Sequence, residues 1–135
     1  MTAMTDDRPR ILVVDDEKQT SRTMAMALEA VGYLTQESAT AKEGLQAALQ
    51  IHPSLIVLDY HMAGQDGVGF LRELRKNEWG RDVPVIIASN VYDVDILNDI
   101  MSLGVQDYVL KADVNLNDIV KLVGKYVPLA SASGQ

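Results

Sequence analysis

The sequence predicts an α/β fold with a parallel sheet of five strands that helices cover on both faces. Five short apolar runs recur at similar intervals, and three of them are unbroken rather than alternating. Unbroken apolar runs are typical of parallel strands that are buried on both sides. Stretches with helical periodicity lie between the runs, so strands and helices alternate along the chain. This alternation, with right-handed crossovers, favours a doubly wound layer architecture.

The predicted strands follow the apolar runs in chain order. They are Ile11–Val14, a weaker run at Tyr33–Gln36, Leu55–Leu58, Val85–Ile87 and Tyr108–Leu110. Apolar stripes at helical spacing indicate the helices between them. The stripes of the first, second and last helices are Met24, Ala27, Leu28 and Val31; Ala41, Leu45, Ala48 and Leu49; and Ile119, Leu122, Val123 and Tyr126.

Residues at the predicted helix ends agree with these assignments. Thr40 and Glu43 have the spacing of a capping box, in which each side chain binds the backbone N–H of the other residue. Further N-cap residues are Asp66, Asp93 and Asn115. Gly32 and Gly104 stand where helices should stop, because glycine readily adopts the left-handed backbone that follows a helix.

The length of the chain allows one domain. Its 135 residues, 47% of them hydrophobic, can fill a single well-packed core and leave no room for a second one. We expect the folded domain to span residues 9–127. Small or polar residues at the two ends predict a flexible N-terminal arm at 1–8 and a flexible tail or truncated linker at 128–135.

Charge and composition argue against several classes of function. A formal net charge of −7 argues against a nucleic-acid-binding surface, since contacts to phosphates require clustered Lys and Arg, and we expect no direct nucleic-acid partner. The absence of cysteine fits a reducing compartment and favours the cytoplasm. No apolar run approaches the roughly 18 residues of a membrane span, so we expect a soluble protein without a membrane partner.

Polar residues that can do chemistry stand at the ends of four predicted strands. Asp15 and Asp16 end the first run, Asp59 ends the third, Ser89 the fourth and Lys111 the fifth. In open α/β sheets, ligands bind at the carboxyl ends of the strands, where the strand order reverses. In the flavodoxin-like order 2-1-3-4-5, these five side chains would therefore meet in one crevice.

The three carboxylates of this crevice would repel one another unless a cation joined them. Mg²⁺ suits best, with Mn²⁺ as an alternative, because Mg²⁺ binds one or two carboxylates, keeps several waters and completes its shell with phosphate oxygens. A carboxylate can attack phosphorus to form an aspartyl phosphate, while a metal ion and a lysine offset charge on the transferred group. The pattern indicates phosphoryl chemistry.

Four segments of the sequence resemble the motifs of one family. They are ILVVDDE, LIVLDYHMAGQDG, PVIIASN and DYVLKA, and they occur in the order and spacing of that family. The family is the receiver domain of two-component response regulators, and the chain resembles its single-domain, chemotaxis-regulator type over about Arg10–Val127. Each motif alone is weak, but four motifs at the ends of the right strands are jointly specific.

The resemblance implies a role for each of these residues. Asp59 would be the phosphoacceptor of a phosphorelay, and Asp16 and Asp59 would bind Mg²⁺ directly. Asp15 would bind the ion through water, and His61 through its backbone carbonyl. Lys111 would pair with phosphoryl oxygens. A histidine kinase or a histidine phosphotransfer protein would donate the phosphoryl group, and the protein would not be an enzyme.

The resemblance also implies a switch. Ser89 would move toward the phosphoryl group, and Tyr108 matches the aromatic switch residue of the family. Their movement would reshape the surface of the fourth helix, fifth strand and fifth helix, about Asp93–Tyr126, as a population shift between two packings. That surface would bind a downstream protein target, and the protein would be a monomer or a weak dimer.

The sequence departs from the family pattern near the crevice. Ala63 and Ala112 stand where the family usually has proline, and Asn90 stands where a small residue is typical. The Lys111–Ala112 bond should be trans, because a cis bond before a residue other than proline costs about 2.5–4 kcal/mol. His61 occupies a position that tunes dephosphorylation in the family. These departures leave the rates of phosphorylation and hydrolysis open.

Two other functions stay open at this stage. The departures motivate a receiver-like binding module that works without phosphorylation. A small phosphatase could use Asp59 as its nucleophile, although the haloacid dehalogenase type would have a second Asp where His61 stands. Taken singly, Asp15 and Asp16 could be N-caps and Ser89 a turn hydroxyl. Their coincidence at strand ends favours a functional site.

Overall fold

The computed structural model describes residues 8–62, 65–90 and 94–129. We number the five parallel strands of its main sheet as β1 (Arg10–Val14), β2 (Leu34–Ser38), β3 (Leu55–Asp59), β4 (Val85–Ser89) and β5 (Asp107–Leu110). Their order across the sheet is β2-β1-β3-β4-β5. The predicted parallel sheet and its order 2-1-3-4-5 are confirmed.

Five helices cover the sheet. They are α1 (Lys18–Val31), α2 (Ala41–Ile51), α3 (Gly67–Lys76), α4 (Val94–Ser102) and α5 (Leu116–Tyr126). A short antiparallel ribbon, His61–Met62 with Gln65–Asp66, precedes α3, and a 3-10 turn, Trp79–Arg81, follows it. Among the described residues, none of these helices has the length and apolar character needed to cross a bilayer.

The sheet separates two apolar cores. Side chains alternate along a strand, so Leu12 and Val14 of β1 belong to the core with α2, α3 and α4, whereas Ile11 and Val13 belong to the core with α1 and α5. All four are at most 1% exposed. Burial on both faces explains why the apolar run of β1 is unbroken.

The starts of α2 and α5 use predicted caps. The side chain of Thr40 accepts a hydrogen bond from a backbone N–H in the first turn of α2, at 3.0 Å, and Asn115 forms a reciprocal capping box before α5. Gly32 follows α1 with φ of 117°, and Gly104 follows α4 with φ of 79°, both in the left-handed region that glycine adopts without strain. The predicted N-cap Asp93 lies outside the described residues.

Two residues of the predicted stripes are exposed. Val31, the last residue of α1, is 48% exposed, and Leu49 is 38% exposed. The buried face of α2 includes Gly44 and Ala47 instead. A Cβ at Gly44 would lie 2.8 Å from a methyl of Val14, so α2 packs on β1 at a distance that only glycine permits. Ala41 and Ala48 of the predicted stripe are buried and Leu45 packs against the core, so only Leu49 was placed wrongly on α2.

The last described residues pack against Tyr33 and against the core formed with α1 and α5. Tyr33, which is 2% exposed, donates a hydrogen bond from its hydroxyl to the backbone carbonyl of Val127 at 2.6 Å. Leu129 packs against the core formed with α1 and α5, although the predicted tail begins at residue 128. Apolar packing thus continues at least to Leu129.

We expect Tyr33→Phe to lower the free energy of unfolding by about 1 kcal/mol at neutral pH, because the Val127 carbonyl loses this donor. Burial raises the pKa of Tyr33 above its usual value. With the folded pKa raised, this contribution is complete below the ordinary tyrosine pKa of about 10 and is lost as the pH rises above it. Urea unfolding of both proteins between neutral pH and about pH 10.5 checks this. A difference that does not shrink with pH would contradict it.

Candidate functional site

The carboxyl ends of four neighbouring strands lie along one edge of the sheet. The parallel registers of β1 with β3, β3 with β4 and β4 with β5 bring these ends level with one another. Each end carries, or is followed by, a residue that the sequence predicted for the site. They are Asp15, Asp16, Asp59, Ser89 and Lys111.

Asp15, Asp16 and Asp59 form an acidic cluster at this edge. One carboxylate oxygen from each residue lies within 4.8 Å of the other two. Asp15 is 4% exposed and Asp59 is 8% exposed, whereas Asp16 is exposed to solvent. Two carboxylates are thus held in a buried place, where like charges raise the free energy unless a cation offsets them.

The ammonium of Lys111 supplies positive charge to the cluster. Its Nζ donates a hydrogen bond to Asp15 Oδ2 at 2.8 Å and lies 3.6 Å from Asp59 Oδ1. Burial disfavours the charged lysine, but the hydrogen bond to Asp15 and the charges of Asp15 and Asp59 outweigh burial and raise the pKa of Lys111. Lys111 is therefore cationic at physiological pH.

Backbone groups hold Asp15 in place. The N–H of Glu17 donates to Asp15 Oδ1 at 2.9 Å, so each carboxylate oxygen of Asp15 accepts a hydrogen bond. The N–H of Asp15 itself donates to the carbonyl of Ser38, at the end of β2, at 3.0 Å. Sequence reasoning missed these donors because every residue type except proline has a backbone N–H. The signal that could have found Glu17 is the Asx-turn spacing, in which a carboxylate binds the N–H two residues on.

The two predicted switch residues lie on adjacent strands. Ser89 ends β4 and is 0% exposed. Its carbonyl accepts a hydrogen bond from the N–H of Lys111 at 2.8 Å, which ties the end of β4 to the residue after β5. Tyr108 lies on β5, is partly buried and packs against the core formed with α2, α3 and α4. The role of both residues as a switch stays a prediction.

The structure describes three of the four positions that were singled out as departures from the family pattern or as tuning positions, and Ala63 lies outside the described residues. His61 opens the short ribbon after β3, and its carbonyl as a metal ligand stays a prediction. Asn90 is exposed and lines a groove with Lys111 beside α1 and α5. The described part of the chain contains no cis peptide bond, so the Lys111–Ala112 bond is trans, as expected.

The chemistry of the acidic cluster fits a divalent cation. Carboxylate oxygens are the ligands that hard cations such as Mg²⁺ and Ca²⁺ prefer. The three carboxylates lie close enough together to share one ion, and Asp16 keeps the cluster open to solvent. The cluster can therefore hold a metal ion at the carboxyl edge of the sheet.

Comparison with known proteins identifies relatives of the whole domain. The sequence model of the response regulator receiver domain family matches residues 11–124. A crystal structure of a response regulator receiver protein from Pseudomonas putida is similar, with a TM-score of 0.80 and 29% identity, and the match covers 90% of this chain and 99% of that one. The family match covers the carboxyl ends of all the strands that form the site.

Two curated relatives match a smaller part of their own length. The protein named "Probable transcriptional regulator ycf27" from Porphyridium aerugineum is 36% identical over 104 residues, which are 77% of this chain and 42% of the relative. The "DNA-binding dual master transcriptional regulator RpaA" of Synechocystis is 31% identical over 103 residues, 76% of this chain and 43% of the relative. The chain thus spans less than half the length of these relatives.

These relatives overturn the expectation that there is no direct nucleic-acid partner. The Synechocystis relative is named as DNA-binding, and the Porphyridium relative as a transcriptional regulator. The exclusion was based on the net charge of −7 of this chain. That charge is a property of this chain, which spans less than half the length of these relatives, so it does not exclude DNA contacts by the remainder of their chains. The expectation of no direct nucleic-acid partner was wrong.

The fold, the site and the comparisons agree. The strand order is the predicted one, the acidic cluster and Lys111 lie together at the carboxyl edge of the sheet, and the family match covers nearly all of the described residues. The chain belongs to the response regulator receiver domain family.

Proposed function

We propose that the protein is the phosphoacceptor of a two-component phosphorelay, and that a histidine kinase or a histidine phosphotransfer protein phosphorylates Asp59. One observation carries the proposal. The buried carboxylate of Asp59 lies in a cluster with Asp15 and Asp16, 3.6 Å from the ammonium of Lys111. Membership of the receiver family supports it.

In the proposed reaction, a carboxylate oxygen of Asp59 attacks the phosphorus of a phosphohistidine. A new O–P bond forms and gives an acyl phosphate, while the N–P bond of the donor breaks. The released imidazole nitrogen keeps the electron pair of that bond and takes up a proton, so the donor becomes an ordinary histidine. The step conserves charge and needs no oxidant or reductant.

Lys111 would offset negative charge on the transferred group. Its ammonium is bound to Asp15 at 2.8 Å and is close to Asp59, so a small movement would bring it to a phosphoryl oxygen bound on Asp59. A preorganised donor aimed at developing charge is commonly worth about 10²–10³ in rate. Ser89 would add a hydroxyl donor from the end of β4.

Asp15, Asp16 and Asp59 would hold Mg²⁺, with the backbone carbonyl of His61 as the further protein ligand. The ion would offset the negative charge of the cluster and of the phosphoryl group. Three carboxylates and one ammonium leave the cluster with an excess of negative charge, which repels an anionic phosphoryl donor. We therefore expect phosphoryl transfer to Asp59 to depend on Mg²⁺.

We further propose that phosphorylation shifts the surface formed by α4, β5 and α5 and thereby controls a protein partner. Ser89 and Tyr108 support this, because Ser89 lies on β4, which pairs with the strand of Asp59, and Tyr108 lies on β5 within that surface. The names of the relatives favour transcription as the process that is controlled, through the parts of those proteins that this chain does not match. The receiver itself would be modified and would not act as an enzyme.

The test is to incubate the protein with acetyl phosphate, with and without Mg²⁺, and to record its intact mass. We expect a gain of one phosphoryl group that requires Mg²⁺ and is lost in Asp59→Asn. The exposed Asp82, between the 3-10 turn and β4, offers a matched control, and Asp82→Asn should take up the group as the wild type does.

Other results would contradict the proposal. A gain that persists in Asp59→Asn would place the modification elsewhere. No gain from acetyl phosphate or from a phosphorylated histidine phosphotransfer protein would favour a binding module that works without phosphorylation. Many turnovers on a generic phosphate ester would favour a phosphatase.

A further inference from the structure

Arg75, near the C-terminal end of α3, binds four backbone carbonyls with its guanidinium. Its Nε donates to the carbonyl of Leu103 at 2.9 Å, and its Nη2 donates to that of Gly104 at 2.9 Å. Its Nη1 donates to the carbonyls of Gly80 and Val83, both at 2.8 Å. Two of the acceptors directly follow α4, one lies in the 3-10 turn, and one lies between that turn and β4. One side chain therefore ties α3 to both segments.

The two carbonyls after α4 explain why a cation is needed at this place. The C-terminal end of a helix carries partial negative charge and leaves its last carbonyls without partners in the helix. The guanidinium is a planar fork with five donors, so one arginine can bind several carbonyls at once. Burial lowers the pKa of Arg75, but an arginine starts so far above neutral that it keeps its charge. The anchor is present throughout the physiological pH range.

Other contacts hold the same end of α4. Ile100, in its last turn, is 0% exposed, and Val105, after the helix, is 5% exposed. Gln106 pairs twice with Val85 at the start of β4. Its side-chain oxygen accepts from the N–H of Val85 at 2.7 Å, and its own N–H donates to the carbonyl of Val85 at 2.9 Å. The connection from α4 to β5 is thus held by α3 and by β4.

The N-terminal end of α4 begins with two exposed residues. Val94, its first residue, is 58% exposed, and Asp95 is also exposed. This is the end that the chain reaches from Ser89, at the carboxyl edge of the sheet beside the acidic cluster. Val94 and Asp95, at the end of α4 next to the site, are therefore exposed. Met101 and Ser102 at the far end are exposed as well, but that end is held by the buried Ile100 and by the hydrogen bonds of Arg75.

We infer that Arg75 is a positioning residue that anchors the C-terminal end of α4. When the phosphorylation state of Asp59 changes, α4 then moves at its N-terminal end about this anchor. The response to phosphorylation rests on the proposed function, whereas the anchor itself does not. Arg75 would act through backbone carbonyls more than 20 residues away in the chain and would touch neither the acidic cluster nor the phosphoryl group.

The anchor is tested on the unphosphorylated protein by amide hydrogen exchange, resolved by NMR. We expect Arg75→Met to speed exchange of the Leu103 and Gly104 amides at least tenfold, while the amides of β1 and β3 change little. Arg75→Lys keeps the positive charge but lacks the planar guanidinium, so its effect on exchange should be intermediate. If Arg75→Met does not fold, Arg75→Lys is the variant that tests the anchor. Arg72→Met, at an exposed position of the same helix, is the matched control.

Two results would overturn the anchor. Unchanged exchange at Leu103 and Gly104 in both Arg75 variants would show that the hydrogen bonds do not hold this end. Faster exchange by the same factor throughout the protein would show that Arg75 contributes only to overall stability.

The pivot is tested on protein whose phosphoryl gain has been verified by mass. In the wild type, phosphorylation should change exchange more at the first turn of α4 than at Leu103 and Gly104, and in Arg75→Lys the change should reach that far end. Equal changes at both ends in the wild type would overturn the pivot. If no phosphoryl group is taken up, the proposed function and the pivot both fail, and exchange in the unphosphorylated protein still decides the anchor.

Discussion

Replacing Lys111 by methionine should slow the uptake of a phosphoryl group by Asp59 by about 10²–10³-fold. The ammonium of Lys111 lies 3.6 Å from Asp59 and is the cation that the structure places beside this carboxylate. Methionine has a similar length but no charge, so the transferring group would lose a positive neighbour as its negative charge develops. The loss should appear as a lower rate of transfer, not as a different site of modification.

The rate is measured from the intact mass of the protein during incubation with acetyl phosphate and Mg²⁺. Lys121→Met, at an exposed position of α5, is the matched control and should react at the rate of the wild type. A Lys111→Met protein that reacts as fast as this control would contradict the role of Lys111 in the proposed reaction.

The same substitution should lower the free energy of unfolding by about 3 kcal/mol when no divalent cation is present, because removing one partner of a buried ion pair leaves an uncompensated charge. The carboxylates of Asp15 and Asp59 are at least nine-tenths buried beside Lys111. Mg²⁺ should restore part of this loss, since a ligand that binds only the folded state stabilises it. Urea unfolding with a chelator and with Mg²⁺ checks both expectations, and a Mg²⁺ response no larger than that of the wild type would contradict the second.

Leu58→Ala should lower the free energy of unfolding by about 3–5 kcal/mol. Leu58 immediately precedes Asp59 on β3, is 0% exposed and belongs to the core formed with α2, α3 and α4. The substitution removes apolar atoms from water-free surroundings and leaves a cavity that a central strand with helices on both faces cannot close easily.

The effect is measured by urea unfolding, with Leu49→Ala as the matched control. Leu49 is 38% exposed on α2, so the same change of residue should cost roughly 1 kcal/mol or less there. Equal losses in the two variants would show that the core around β3 adapts, and that burial of Leu58 does not support the strand that carries Asp59.

The elements that could be predicted from the sequence are those with a local signature. The unbroken run before Asp59 predicted a strand buried on both faces, and every residue of Leu55–Asp59 is buried. Thr40 and Asn115 predicted helix starts because their side chains bind backbone N–H groups within the same turn. Gly32 and Gly104 predicted helix ends because the left-handed backbone there favours glycine.

The two stripe positions that were predicted wrongly lacked such a signature. Val31 and Leu49 fit helical periodicity, but the distance of each helix from the sheet decides which residues are covered. Gly44 shows this, since α2 packs so close to Val14 that the smallest residue marks the buried face. A scale of hydrophobicity gives glycine little weight, so the burial of Gly44 could not be predicted from it, although Ala41 and Ala48 of the predicted stripe are buried.

By itself, the sequence determined the alternation of strands and helices and therefore which residues end the strands. Because parallel strands place their carboxyl ends at one edge, this was enough to bring Asp15, Asp16, Asp59 and Lys111 together. Only the tertiary structure decided that Lys111 binds Asp15, 96 residues away, more closely than Asp59. It alone also decided that Arg75 binds the carbonyls after α4. Contacts of this kind depend on the distances between packed elements and on backbone groups that every residue carries. Neither the distances nor the backbone partners can be predicted from the identity of neighbouring residues.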